Sequence, residues 1–293
     1  MTDSLLYHKK ANGKLLITGE YYVLDGAIAL ACPTYYSQTL EIQQSEKFSW
    51  KSFDHLDQLW LELNEKNSNS EAGKKLLEIL ISVDEFELRN KYQMTMDFPR
   101  EWGLGSSSTL IALLADYFSI NPYELNNKIF HGSGYDIACA FSETPILYSN
   151  KDKISPEIKP AIIPEAIKPY CYFAYLNKKQ DSREAIAHYH KLGANKTNTI
   201  KAISEISAEI ITKSNYQDWI YLLEKHEDII ASSLQLTRAA DSILKGLPYF
   251  IKSLGAWGGD FVLILTDDSE ENIKNKLSDY GIETVFNYKE FLR

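Results

Sequence analysis

Long apolar runs, blocks of basic residues and paired cysteines are all missing from this chain, and each absence removes a class of function. No stretch reaches the roughly 18 apolar residues that a membrane span needs, and Met1 to Lys14 holds no apolar core of signal-peptide length. A soluble, cytoplasmic protein with no membrane partner is expected. The formal charge is −9, and no Lys/Arg block is present that could neutralise a row of phosphates, which argues against a nucleic-acid partner. Any phosphate captured must be held locally. Only Cys32, Cys139 and Cys171 occur, odd in number, far apart and in apolar contexts, which fits reduced, buried thiols rather than a disulfide framework or a zinc site. Neither Gly-x-x-x-x-Gly-Lys-Ser/Thr nor the protein-kinase signature set is found, and there is no internal repeat or low-complexity tract.

What is there suits a globular fold. The chain has 293 residues, enough for two lobes, with 44% hydrophobic and 24% charged residues. Strand-like runs open it: Lys14 to Thr18, Ala27 to Ala31, Tyr35 to Ile42, Phe48 to Phe53 and Gln58 to Leu63. A helical pattern over Glu71 to Ile81 and a strand over Tyr92 to Phe98 follow. Helices are expected from the glycine turn to Phe118, over Tyr123 to Phe130 and over Ser133 to Phe141, then a strand at Thr144 to Tyr148. The polar Lys151 to Pro169 segment holds four prolines and is the expected boundary, giving lobes over 1–165 and 166–293. The second lobe reads as a strand at Cys171 to Leu176, helices over Ser182 to Lys191, Ala194 to Thr212, Tyr216 to Ser233 and Thr237 to Lys245, then strand, Gly-rich turn, strand, helix and strand. Strands at both ends with helices between predict an α+β lobe, helices covering one face of an antiparallel sheet.

Four segments could carry chemistry. In Trp102-Gly103-Leu104-Gly105-Ser106-Ser107-Ser108-Thr109, two glycines open a helix, leaving unpaired N–H groups and about half a positive charge aimed at an anion. A polyphosphate is the natural candidate. Lys14 to Gly26 could place a cation and the Glu20 carboxylate near one cavity, and Gly132-Ser133-Gly134-Tyr135-Asp136 crowds small residues around one aspartate. Ser253 to Asp260 has more glycine than a hairpin needs. Each has an ordinary explanation taken alone: a turn that only caps its helix, a strand with solvated ends, an aspartate complementing a helix dipole, a plain hairpin. Asp181 and Glu184 likewise read as a capping box, or Lys178, Lys179 and Arg183 form a positive patch for a substrate bearing a phosphate or carboxylate.

Together and in this order, the four segments resemble the motifs of the GHMP kinases: galactokinase, homoserine kinase, mevalonate kinase and phosphomevalonate kinase. The resemblance spans nearly the whole chain and is nearest the phosphomevalonate and mevalonate kinase branch, through Gly19-Glu20-Tyr21, Gly132 to Asp136 and Gly259-Asp260. Gly134 to Ala138 also resembles a bacterial subgroup named for those five letters. The resemblance implies a two-lobed α+β architecture, the first lobe like ribosomal protein S5 domain 2 and the second ferredoxin-like. It implies ATP and Mg²⁺ as cofactors, a small-molecule substrate, and a monomer or homodimer. ATP phosphates would lie over Gly103, Leu104, Gly105, Ser106, Ser107 and Ser108, with Gly255, Gly258 and Gly259 packed beside them. Ser107, or else Ser106, would coordinate Mg²⁺. Asp136 would take the proton of the substrate hydroxyl, and Lys14 would hold Asp136 ionised. Glu20, Tyr21, Ser182 and Arg183 would meet the substrate.

The pattern departs from the family in places. Asn127 stands where a glutamate usually ligates the second position of Mg²⁺, which leaves Glu124, nearly a turn earlier, as the candidate. Trp257 replaces a glycine in the last motif, where it would narrow the nucleotide cleft or stack on a base. Three functions compete: an ATP- and Mg²⁺-dependent kinase of a small, anionic, mevalonate- or phosphomevalonate-like metabolite; an ATP-dependent decarboxylase of the mevalonate diphosphate type; and a silent relative that binds nucleotide or metabolite to regulate a partner.

Overall fold

The structure, a computed structural model, describes residues 4–64, 70–83, 89–178, 182–191, 196–255, 257 and 260–293. Its first sheet is organised around one long antiparallel pair, β1 (Leu5–Thr18) and β2 (Ala29–Gln43). The sequence pattern suggested two strands within β2. They are continuous because Pro33, which has no N–H for a ladder, lies opposite Lys14 beside a register shift in β1. β3 (Ser49–Phe53), β4 (Leu59–Leu63), β5 (Lys91–Met96), β6 (Ile146–Ser149) and β7 (Glu157–Pro160) complete the sheet in the order β4-β3-β5-β2-β6-β7, with β1 on β2. β3 and β5 pair parallel and the rest antiparallel. The edge strand β7 falls inside the polar, proline-bearing stretch that reads as loop.

The helices α1 (Glu71–Ile81), α2 (Ser106–Tyr117), α3 (Pro122–Ile129) and α4 (Tyr135–Ala140) belong to this lobe. Side-chain caps fix two of their starts: Ser70 Oγ accepts from Gly73 N at 3.0 Å, and Asn121 Oδ1 from Tyr123 N at 2.8 Å. α2 is apolar on most sides, with Ile111, Leu113, Leu114 and Ala115 buried, so it must be covered all round. It packs on β1, β2, α3 and α4, while α4 also packs on β1 and β2. Two helix starts are thereby brought side by side over one sheet.

The second sheet contains β8 (Cys171–Tyr175), β9 (Phe250–Ser253), β10 (Phe261–Leu265) and β11 (Val285–Asn287), all antiparallel in the order β11-β8-β10-β9. Helices α5 (Ser182–Lys191), α6 (Thr197–Ile210) and α7 (Tyr216–Leu234) join β8 to β9, and α8 (Glu270–Ser278) joins β10 to β11. This is the ferredoxin-like β-α-β-β-α-β order, with extra helices in the first crossover. β8 and β10 are buried at every position because Phe173 and Leu263 face one core, with Ile206 and Leu222, while Ala174 and Val262 face another, with Ile273 and Leu277. The first of these cores continues into Leu15, Leu30 and Leu104, so apolar packing crosses from one sheet to the other. A final helix, α9 (Tyr288–Phe291), packs on both β2 and β8.

The helix expected over Thr237 to Lys245 is only a 3₁₀ turn at Ala239–Asp241. There the Ala239 N–H donates to Ser253 Oγ at 3.0 Å, which fastens the turn to β9. All three cysteines are buried free thiols. No helix among the described residues is long and apolar enough to cross a membrane.

Candidate active site

The glycine turn sits where the sequence places it, between β5 and α2. Gly105 occupies the N-cap of α2 at φ 91°, a left-handed conformation that strains any residue with a Cβ. It offers no capping side chain. The Ser108 and Thr109 N–H groups return to Gly105 O at 3.0 Å, whereas Ser106 and Ser107 open the helix with no turn behind them. The turn is anchored by fully buried Leu104, whose carbonyl accepts from Lys14 N at 3.1 Å.

Lys14, Asp136 and the turn converge. Lys14 Nζ donates to Gly103 O at 3.0 Å, and Ser108 Oγ donates to Asp136 Oδ2 at 2.6 Å. A Cβ placed on Gly105 would lie 3.2 Å from Lys14 Cε and 3.7 Å from Asp136 Cβ, so a single glycine floors the space between the two. Burial alone would lower the Lys14 ammonium, but its interactions with Tyr135, Asp136 and Asp260 outweigh it and hold Lys14 above its ordinary value. Lys14 Nζ stands 5.4 Å from the Tyr135 ring centre, and burial pushes the Tyr135 phenol up to about 12. The approach to α4 is pinned from behind: Tyr148 Oη and Asn150 Nδ2 both donate to Ser133 O, at 2.5 and 3.3 Å. Geometrically this is a carboxylate able to accept a proton, beside a fixed cation, at the mouth of a helix start.

Next to the turn lies a cavity of about 160 Å³. Trp60, Leu61, Leu76, Met94, Leu110 and Phe130 make its apolar walls, and Ser106 and Ser107 also line it, so cavity and helix start share a boundary. The Arg100 guanidinium lies over the Trp60 ring at 3.7 Å. Gln38 reaches the cavity from β2 with its Oε1 bonded to Thr109 Oγ1. The apolar walls come from β4, α1, β5, α2 and the residue after α3, and individually read as core positions, so no local sequence signal marks them.

Several residues named from the sequence lie elsewhere. Glu20, expected to meet substrate, is fully buried. Its Oε1 accepts from Lys252 Nζ at 2.6 Å, and the same ammonium lies 3.0 Å from Glu227 Oε1. His226 Nε2 accepts from Gly19 N at 2.9 Å and lies 3.3 Å from Glu20 Oε2, so that nitrogen has no proton to offer the carboxylate. Burial pushes the Glu20 carboxyl up to about 7 even though Lys252 opposes it, and pushes the His226 imidazole well below its ordinary value. Burial is the main cause of Glu20's reluctance to ionise, and the nearby Glu227 carboxylate adds to it. The cluster joins the end of β1 to α7 and β9.

Tyr21, 7% exposed at φ 61°, stacks on Tyr189 of α5 with ring centres 5.9 Å apart. Trp257 is buried in a cluster with Tyr21, Tyr22, Tyr189 and Leu234 and is not among the residues lining the cavity beside the turn. Ser182 and Arg183 lie in the first turn of α5, their side chains outside the described residues. Gly255 adopts φ 60°, and among the described residues nothing lies within 4 Å of where its Cβ would be; Gly258 and Gly259 lie outside the described residues.

Among the described residues no three His, Cys, Asp or Glu side chains gather as a metal cage. Mg²⁺ bound through a nucleotide needs only one or two protein oxygens, and the exposed Ser107 hydroxyl in the first turn of α2 fits that demand. Glu124 is exposed on α3, and its backbone N–H is capped by Asn121 Oδ1 at 3.4 Å.

The sequence matches no model of a known protein family and no curated protein. The structure is similar to Streptococcus pneumoniae phosphomevalonate kinase in complex with phosphomevalonate and AMPPNP, with TM-score 0.74 and 18% identity over 96% of this chain and 100% of that one. It is similar to Methanococcus jannaschii mevalonate kinase, with TM-score 0.66 and 20% identity over 98% of each chain. Lactococcus lactis galactokinase complexed with galactose also resembles it, with TM-score 0.65 and 13% identity over 94% of this chain and 88% of that one. All share one fold, and this chain has it from end to end.

Proposed function

We propose that this chain, built on the fold of the GHMP kinases, is an ATP- and Mg²⁺-dependent kinase that transfers the γ-phosphoryl group to a hydroxyl or phosphate of a small, anionic metabolite. One observation carries the reading: the Ser108–Asp136 hydrogen bond of 2.6 Å joins the helix start to a carboxylate that also faces Lys14. An anion drawn to the α2 N-terminus would lie within reach of an acceptor held at that carboxylate.

Phosphoryl transfer needs in-line positioning and charge neutralisation more than covalent chemistry. The α2 amides and the Lys14 ammonium supply fixed positive charge where the transferred group develops negative charge. Asp136 receives the proton when the acceptor is a hydroxyl. The nucleotide base lodges in the aromatic cavity beside Ser106 and Ser107, with Trp60 and Arg100 on its wall. Mg²⁺, held by Ser107 and the phosphates, would neutralise charge on the polyphosphate.

The anionic acceptor class is supported by the Lys178, Lys179 and Arg183 segment, and a mevalonate- or phosphomevalonate-like compound by two of the structural neighbours. ADP release is to be measured with MgATP over a panel of isoprenoid, sugar and amino-acid alcohols and their phosphates, with evolved CO₂ followed in parallel. ADP with a phosphorylated acceptor is expected. Stoichiometric CO₂ would identify a decarboxylase, and nucleotide binding with no metabolite-dependent ADP would identify a silent binder.

A further inference from the structure

Several polar side chains on the cavity beside the phosphate turn are engaged within the protein. Lys75 Nζ donates to Glu78 Oε2 at 2.9 Å and to Ile129 O at 3.1 Å, the Arg100 guanidinium lies over the Trp60 ring, and Trp50 Nε1 donates to Ser52 Oγ at 2.8 Å. Gln38 differs from them. It is 3% exposed and stands in the core-facing row of β2 that continues with Leu40 and Ile42, where an apolar side chain is the ordinary choice. Its Oε1 accepts from Thr109 Oγ1, while among the described residues no group accepts from its Nε2.

A buried primary amide that leaves its N–H groups without acceptors carries a cost that leucine or methionine at the same place would not. Tying β2 to α2 uses only the carbonyl end. The donors are left over, on the lining of a cavity whose other walls are the apolar Trp60, Leu61, Leu76, Met94, Leu110 and Phe130. An apolar space with a donor on its wall suits a flat heteroaromatic ring that carries an acceptor nitrogen, as a purine does. Thr109 sets the amide's direction. It lies on α2, its hydroxyl also 3.0 Å from Ser106 O, so the helix that opens toward the phosphates holds the amide that would meet the base.

We infer that Gln38 is a specificity-determining residue for the nucleotide, its Nε2 donating to a ring nitrogen of the purine held in this cavity. The inference rests on the kinase reading for the class of ligand, and deepens it by naming the side chain that reads the base.

The test is equilibrium titration calorimetry without acceptor, using MgATP and its 1-deaza, 3-deaza and 7-deaza analogues on wild type and on Gln38→Met, which fills a similar volume without donors. One analogue should bind wild type roughly tenfold more weakly than ATP does. Gln38→Met should bind ATP and that analogue equally, both roughly tenfold more weakly than wild type binds ATP. The other two analogues should keep the same ratio to ATP in both proteins. A residue that only tied β2 to α2 would lower all four affinities in parallel, and unchanged ratios overturn the inference. So does a wild type that binds none of the four, or all four equally. With purine riboside triphosphate added to the series, a ratio that responds to Gln38→Met only when the 6-amino group is removed also refutes it, because the amide would then present its oxygen. If Gln38→Met does not fold, Gln38→Glu keeps an oxygen for Thr109, puts an acceptor in place of the donors, and must erase the same ratio. Absence of metabolite-dependent ADP from wild type would instead remove the kinase reading, while the binding ratios still report whether Gln38 reads the base.

Discussion

Ser108 Oγ and Asp136 Oδ2 lie 2.6 Å apart although 28 residues separate them in sequence, and this bond joins the turn that opens α2 to the carboxylate in the first turn of α4. Ser108→Ala removes a hydrogen bond to a charged group, a loss of about 1.5–3 kcal/mol. If the bond aims the carboxylate, kcat should fall roughly 10- to 100-fold with little change in nucleotide affinity. Steady-state kinetics with equilibrium AMPPNP binding checks the split.

Gly105→Ala tests the floor of the site. The new methyl must adopt φ 91° and press on Lys14 Cε at 3.2 Å. Left-handed strain alone costs about 1–2 kcal/mol, so chemical denaturation should register a loss of that order. Phosphoryl transfer should suffer more than stability, because the displaced groups are Lys14 and Asp136.

The turn and α4 are legible in the sequence because their signals are local: glycines beside hydroxyls, and small residues around one aspartate. The cluster of Glu20, His226, Glu227 and Lys252 is not, since Glu20 and Lys252 are 232 residues apart and nothing around Glu20 announces burial. The surroundings of Trp257 are hidden for the same reason. Its place in a glycine motif suggests a blocked cleft, while its aromatic partners Tyr21 and Tyr189 come from β1's exit and α5. The cavity walls are hidden differently, because Trp60, Leu76 and Met94 carry the periodicity of ordinary core residues until the fold leaves a space between them.

Glu20 makes stability depend on pH. Burial raises its carboxyl from an ordinary 4.5 to about 7, so the folded state holds a proton that the unfolded state has already released across that window. Stability contributed by this group is full below about 4.5 and is lost as pH rises through about 7, by up to about 3 kcal/mol. Glu20→Gln should abolish that slope and be more stable than wild type at about pH 8, with acceptor KM unchanged. Urea midpoints at several pH values decide it; an unchanged slope, or a raised KM, would return Glu20 to the substrate side.

Lys252→Met strands two buried carboxylates without their cation. A loss of about 3–5 kcal/mol is expected. Adding Glu20→Gln and Glu227→Gln should recover much of it, measured as the non-additivity of a mutant cycle.

Trp60→Ala should weaken nucleotide binding roughly tenfold by removing an aromatic wall of the cavity, leaving acceptor KM nearly constant. Fluorescence titration with a labelled ATP analogue measures the first and kinetics the second. Equal nucleotide affinity would place the base elsewhere.

The most direct measurement is single-turnover phosphoryl transfer by Asp136→Asn beside wild type, with AMPPNP affinity determined on both. The account predicts transfer slowed by roughly 10²–10⁴-fold, as for loss of a positioned base, with affinity for the nucleotide analogue retained. Transfer at the wild-type rate in the Asp136→Asn protein would contradict it.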